Sequence, residues 1–501
     1  MHRSIQAVIA TTLTLTLAGC TFPADHLITA AVPGIKDAAG VSNIVPGRYI
    51  VVYRDGTIPT GAATDALQSG AHLVQNIPAF GLSVQQTSAP DSPATLAALA
   101  AQPDVAYVMH DRYVQGHQLS TGTATGTAPV LPIDPNQDPA DNFYRSPQGW
   151  AVQQAGGYGA HITGGPASGP WSTTMGAGVR IAILDSGVDA SHPDIAPNLA
   201  LNISEVDQAA FPSTCDDATP QDQQGHGTWT ASLATGAAGH GTGGVIGVAP
   251  QASLLNIKVL QRVPFDAAGS PTAKCSAGQT GGLLSWVLQG ISDAIAHKAD
   301  VISLSLGSVV DLYSGDGAGW KASFDRVTHA ASVANVVIVA AAGNDGLDLS
   351  GGRFIELPAQ ARDVLPVVAS TNPSCAENLT AGATCIAGPV TRPYYSNFGA
   401  TLNAIAAPGG SYPNVSDTGV NGLVRGACST SGCFDQGNAA YAQAMGTSAS
   451  APLVAGAAAL LHAAHPGWSA QQIVTAMRNS ATITPGMAEP QLNTAAALIY
   501  Q

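Results

Sequence analysis

The chain has 501 residues, of which 45% are apolar and only 10% charged, and its formal net charge is −14 at pH 7. That length allows two to four domains at ~150 residues each, or one large α/β domain with additions, around a sizeable core. With only 18 Lys plus Arg, it lacks the basic patches that nucleic acid or an anionic lipid surface would need.

The first stretch, MHRSIQAVIATTLTLTLAGC, has a short basic start, an apolar run from Ile5 to Leu17, and small residues up to Cys20. Residues 1–19 read as an export signal, because the run is too short for a membrane span. The ending LAGC resembles the lipobox of bacterial lipoproteins, which implies that Cys20 is lipidated and becomes the mature N-terminus. A plain cleaved signal with a chance Cys is the alternative. Setting Cys20 aside leaves six of the seven cysteines, and an even number in an exported chain points to disulfides. Six allow fifteen pairings. Short loops favour Cys375–Cys385 and Cys428–Cys433, which leaves Cys215–Cys275. None has the CxxC spacing of a zinc site.

Residues 20–45 read as a tether. The segment 46–115 reads as a small α+β unit. GRYIVVYRDG is a strand ended by Asp-Gly, and AHLVQNIPAFGLSVQQ holds two more apolar runs. SPATLAALAAQPDVAYVMHD is a helix starting after Ser92 or Pro93, then a strand. The Ser/Thr/Gly/Pro-rich run STGTATGTAPVLP lies in 116–145, which reads as an exposed linker.

Residues 146–501 read as one large domain. VRIAIL, SLLNIKV, VISLSL, VVIVAAAG and VLPVVAS are continuous apolar runs, as in strands buried on both faces of a parallel sheet. Helical stretches separate them. In one of these Leu284, Leu288, Ile291 and Ile295 recur at helical spacing. The pattern is α/β and doubly wound, an architecture whose ligands sit outside the carboxyl ends of the strands.

Four polar residues fall at such ends. Asp185 follows the run VRIAIL, His226 stands between glycines ahead of a small-residue helix, Asn344 follows VVIVAAAG, and Ser448 opens a long apolar helix. Each alone fits a turn or a helix cap. Together they suit peptide-bond hydrolysis. A serine hydroxyl needs a base to take its proton, and imidazole serves near neutral pH. A buried carboxylate orients the imidazole, and an Asn N–H with the Ser448 backbone N–H can hold the oxyanion. The glycines beside His226 and before Ser448 suggest places where substrate backbone comes close.

The blocks ILDSGVD, GHGTWTASL, SLSLG, AAGND, LPAQARDVLPVVAS, YYSNFGATLNAIAAPG and GTSASAP resemble those of subtilisin-like serine proteases, over roughly residues 145–498. The resemblance implies a triad of Asp185, His226 and Ser448, with Asn344 as oxyanion donor and Ser450 as a packing position. Ala449 and Ser450 depart from the family's usual Met and Ala. Segment 46–115 resembles the family's inhibitory propeptide. The resemblance also implies that Ser305, Leu306 and Gly307, with Ala341, Ala342 and Gly343, flank the pocket for the residue before the scissile bond. Neither stretch carries a charge, so the expected preference is for a large apolar side chain over Lys or Arg.

The chemistry needs no cofactor. Structural calcium is common in the family, but no D-x-[DN]-x-[DN]-G loop is present, so no metal ligands are assigned. The expected partners are protein or peptide substrates and the chain's own propeptide, with the membrane reached only through lipid. The expected state is a monomer, exported or at the outer membrane or cell surface. A serine esterase is disfavoured because the G-x-S-x-G elbow is missing at Ser448. GHGTGG matches a dinucleotide-binding fingerprint, but no strand precedes it and no helix follows. An inactive, protease-shaped surface binder would not need Asp185, His226, Asn344 and Ser448 intact.

Overall fold

The computed structural model describes residues 44–88, 92–117, 120–121, 142–145, 147–159, 169–239, 244–265, 269–313, 315–372, 390–411 and 422–501. The proposed signal, Cys20, the tether, and Cys375 with Cys385 lie outside these residues.

The N-terminal part is a small α+β unit. Strands β1 (Ile44–Tyr53), β2 (Ala71–Ile77), β3 (Leu82–Thr87) and β4 (Val105–Gly116) form an antiparallel sheet in the order β4-β1-β3-β2. The helices Ala62–Gln68 and Pro93–Ala100 accompany them. The second starts where the sequence suggests: Ser92 Oγ accepts the Thr95 N–H at 3.3 Å, and Pro93 takes the first helical position. In β1 every residue from Tyr49 to Tyr53 is buried, because both faces are covered. Tyr49, Val51 and Tyr53 pack within the unit, whereas Ile50 and Val52 join the core of the large domain.

A two-residue strand, β5 (Ser120–Thr121), precedes the large domain. That domain begins with β6 (Arg180–Asp185), β7 (Leu199–Ser204) and β8 (Ser253–Lys258). Next come β9 (Gln261–Val263), β10 (Gln279–Leu283), β11 (Val301–Leu304) and β12 (Leu306–Asp311). Strands β13 (Val337–Ala341), β14 (Phe354–Leu357), β15 (Val364–Ser370), β16 (Ile405–Pro408), β17 (Val424–Ala427) and β18 (Tyr441–Met445) follow.

Seven of these make a parallel sheet in the order β16-β15-β13-β11-β6-β8-β7. All five apolar runs read from the sequence are in it. Alternate residues enter two cores: Ile181, Ile183, Val337 and Val339 on one face, and Ala182, Leu184, Ile338 and Ala340 on the other. Helices Leu284–Ala296 and Gly317–Val333 cover the second face. The helix Thr447–Ala464 covers the first. It is long and apolar enough to span a bilayer, but it is mostly buried and serves as the central core helix.

Edge strands β7 and β16 are the ones sequence reading missed. LALNIS leaves every one of its residues partly or fully exposed, and IAAP is only four residues long, so neither gives a continuous apolar run.

Two features position the site. First, the chain leaves β6 for β7 and β8 on one side and returns to β11 on the other. The crevice at the carboxyl ends of β6 and β11 is therefore the topological switch point. Second, β4 is longer than the small unit needs. Tyr113 and Val114 pair with Leu283 and Gly282 of β10, and Gln115 and Gly116 pair with Gly307 and Leu306 of β12. The strand runs through Gly116, past the boundary drawn at residue 115, because these partners add ladder bonds that the small sheet cannot supply.

Asp111 fixes the approach. It is wholly buried. Its Oδ1 accepts the Ser285 N–H at 3.1 Å, and its Oδ2 accepts the Ser285 hydroxyl at 2.6 Å and Arg48 Nε at 2.9 Å. The carboxylate so caps the helix Leu284–Ala296 of the large domain, where the dipole favours negative charge.

Candidate active site

Asp185 is the last residue of β6 and is wholly buried. Its Oδ1 lies 2.6 Å from His226 Nδ1 and accepts the Ser186 N–H at 2.7 Å. Its Oδ2 accepts the Thr230 hydroxyl at 3.2 Å. This pairing suits a proton on Nδ1 and leaves Nε2 as the basic nitrogen.

His226 starts the helix His226–Thr235, and the turn before it is built by a buried carboxylate absent from the sequence reading. Asp222 accepts N–H bonds from Gln224, Gly225 and Thr228, and hydroxyl bonds from Ser186 and Thr228, at 2.6–3.0 Å. Burial pushes the Asp222 carboxyl above its ordinary range, while these donors pull it back. The flanking glycines are also needed by the turn and its packing. Gly225 has φ of 105°, and a Cβ on Gly227 would fall on the Gly187 carbonyl.

Ser448 is the second residue of its helix. Pro452, four residues on, has no N–H to give the Ser448 carbonyl. Ser305 Oγ fills that acceptor at 3.0 Å. Ser305→Ala should therefore leave a buried carbonyl unpaired beside the nucleophile and cost about 1–3 kcal/mol of stability. Urea unfolding would measure it, and kcat should fall alongside.

The Ser448 hydroxyl donates a long bond, 3.4 Å, to the Ser305 carbonyl. His226 Nε2 has no hydrogen-bond partner among the described residues. The same Ser305 carbonyl accepts the His117 N–H at 3.3 Å. The hydroxyl and the backbone of residue 117 thus share one acceptor. Downstream, β5 pairs Ser120 and Thr121 with Met445 and Ala444 of β18, just before Ser448. The chain's own residues 113–117 and 120–121 accordingly flank the site, and the backbone of residue 117 meets the acceptor that the nucleophile uses.

Asn344 follows β13. Its Oδ1 accepts both the N–H and the hydroxyl of Thr447 at 2.8 Å. This anchors the amide to the start of the Ser448 helix and fixes Nδ2 as its donor end. Ser450 is buried and donates to the Ala407 carbonyl at 2.9 Å, a packing role.

The sequence pattern of the Subtilase family matches residues 176–496. The chain belongs to the subtilase family. Subtilisin NAT of Bacillus subtilis subsp. natto is 31% identical over 307 residues, 61% of each chain. Alkaline protease of Shouchella clausii is 30% identical over 368 residues, 71% of this chain and 75% of that one. The alignment with the subtilisins of Bacillus subtilis spans 61% of their length. Among solved structures, the epidermin leader peptide processing serine protease of Staphylococcus aureus has a similar fold. Its TM-score is 0.63 at 20% identity, over 90% of this chain and 98% of that one.

In this subtilase the stretches Ser305–Gly307 and Ala341–Gly343 flank the buried His117 side chain, where the resemblance expects the pocket: a Cβ on Gly307 would lie 3.3 Å from its ring, and the Ala341 backbone hydrogen-bonds its imidazole. The pocket is not uncharged, which removes the basis for expecting an apolar preference. Glu356, at the end of β14, is wholly buried between the two stretches, and its Oε1 lies 3.6 Å from His117 Nε2. Glu356 immediately precedes the block LPAQARDVLPVVAS, where an isolated Glu gives no periodic signal. Burial and the Asp345 charge push its carboxyl well above the usual range, against the pull of Arg112. Burial pushes the His117 imidazole down to about 4.

The Cys215–Cys275 and Cys428–Cys433 disulfides are formed. The second lies behind the His226 turn, where a Cβ on Gly225 would come within 2.7 Å of Cys428 Sγ. Among the described residues, no three His, Cys, Asp or Glu side chains converge as a metal site would.

Proposed function

We propose that this subtilase is a serine endopeptidase made as a self-processed, exported precursor. Ser448 is the nucleophile, His226 its general base and acid, and Asp185 the group that orients His226. Asn344 and the Ser448 backbone N–H hold the oxyanion. The observation that carries the reading is the path of residues 113–117. It lies antiparallel to β10 and β12 as an added strand, a common mode of peptide recognition. It sets the backbone N–H of residue 117 on the same carbonyl that the Ser448 hydroxyl uses, which supports cleavage after His117.

On attack, His226 Nε2 takes the Ser448 proton as Oγ bonds to the carbonyl carbon. The tetrahedral oxyanion is met by Asn344 Nδ2 and the Ser448 N–H. His226 then protonates the leaving amine, and water hydrolyses the acyl-enzyme by the reverse sequence.

The segment through His117 inhibits by occupying the groove, and the Asp111 cap holds it after cleavage. A lipid at Cys20 would remain on this segment, so release of the segment frees the catalytic domain. Labelling with a fluorophosphonate, alongside casein digestion, tests the activity. Both signals are expected from the mature protein and neither from Ser448→Ala. An inactive binder takes no label, and an esterase takes label without cutting casein. Detergent-phase partitioning tests the anchor. The active protein should yield a soluble catalytic fragment, and Ser448→Ala a detergent-phase precursor. A lipidated mature catalytic domain contradicts the release step.

A further inference from the structure

Glu356 stands in an unusual position for a buried acid. Its two carboxylate oxygens lie against the two glycines of the pocket walls. A Cβ on Gly307 would fall on Oε1, and a Cβ on Gly343 would lie 3.2 Å from Oε2. The missing side chains at Gly307 and Gly343 leave the carboxylate as the floor of the pocket. Its backbone N–H is used by Gln360 Oε1 at 2.8 Å, but neither carboxylate oxygen has a hydrogen-bond partner among the described residues. A buried, unpaired carboxyl is costly for a fold to keep. The side chain aimed at it is His117, itself buried, whose Nε2 also has no hydrogen-bond partner among the described residues.

We propose that Glu356 is the specificity-determining residue of the pocket and that it selects a basic side chain before the scissile bond, histidine in the precursor and arginine or lysine in substrates. This rests on the endopeptidase reading above. The cation that acts on Glu356 in the precursor is Arg112, and it belongs to β4, the strand that leaves with the propeptide. Once that strand departs, the remaining charged neighbour is Asp345, of like sign, and an incoming substrate must supply the positive charge. The 3.6 Å gap from His117 to Glu356 exceeds a hydrogen bond. A longer arginine or lysine side chain closes it. An apolar side chain would seal the carboxyl away with no partner, whereas an acidic one would add a second like charge.

Histidine suits self-processing for a further reason. A neutral imidazole beside a protonated carboxyl holds the same number of protons as an imidazolium beside a carboxylate. Either form leaves the pair with no net charge, so the occupied site holds no uncompensated buried ion. Histidine also leaves the propeptide a weaker occupant of the pocket than an arginine substrate would be.

The test uses the mature enzyme and peptides that carry the sequence of residues 113–116 followed by Arg, Lys, His, Phe, Leu or Glu, with a fluorogenic leaving group. The kcat/KM values for Arg and Lys should exceed those for Phe and Leu by about 10-fold or more. Glu356→Gln should lower the Arg-to-Leu ratio by at least that factor. In the precursor, His117→Arg should still be processed, and His117→Glu should accumulate uncut. This second pair keeps the proposal testable if Glu356→Gln does not fold. A wild-type preference for Phe or Leu, an unchanged ratio in Glu356→Gln, or normal processing of His117→Glu would each overturn it. If no peptide is cut and Ser448 takes no fluorophosphonate, the endopeptidase reading fails instead.

Discussion

Ser448→Ala or His226→Ala is expected to lower turnover on a peptide substrate by a factor on the order of 10⁶, and the double variant should be scarcely worse. The two side chains act as one device. A hydroxyl without its base is a poor nucleophile, and an imidazole without the hydroxyl has nothing to activate. Asp185 already holds the ring through a 2.6 Å contact to Nδ1, so neither substitution is rescued by the third residue. Active-site titration followed by single-turnover kinetics would measure the loss. Full activity in Ser448→Ala combined with a dead Ser450→Ala would place the nucleophile elsewhere.

Asn344→Ala should lower kcat by about 10²–10³ with little change in KM, the range seen for an oxyanion-hole Asn in subtilisin. The negative charge that Nδ2 meets exists only near the transition state, so substrate binding should hardly register the loss. Asn344 Oδ1 also accepts two bonds from Thr447. The alanine variant thus loosens the turn that carries Ser448, and part of its effect will be positional. Asn344→Asp separates the two. An aspartate keeps an acceptor for Thr447 but replaces the amide donor with negative charge, so it should be at least as slow as alanine. An aspartate variant near wild-type activity would show that the residue serves only to anchor the turn.

Much of this was legible in the sequence for a physical reason. Strands buried on both faces of a parallel sheet must be continuously apolar, so β6, β8, β11, β13 and β15 announce themselves. Asp185 and Asn344 were legible because polar residues directly after such strands stand where an α/β sheet exposes its crevice. His226 was marked by its glycines, which the turn and its packing require. The parts that stayed hidden depend on contacts between distant segments. Asp222 looks like any loop Asp until the fold wraps five donors around it. Glu356 looks like a lone charge in a strand until Gly307 and Gly343 close on either side. Nothing in VAYVMHDRYVQG reveals that its last four residues, Tyr113 to Gly116, pair with two strands more than 160 positions away (the signal is the empty slot between β10 and β12, which only the folded domain possesses).

The central claim is that the chain cuts itself after His117, through Ser448, while its own strand occupies the substrate groove. N-terminal sequencing with intact-mass analysis of the purified active protein, beside Ser448→Ala prepared identically, tests it most directly. The account predicts a catalytic domain beginning at Gln118 in the active protein and no cleavage at that bond in Ser448→Ala. A mature N-terminus ahead of Pro46, or cleavage at the 117–118 bond that persists in Ser448→Ala, would contradict it.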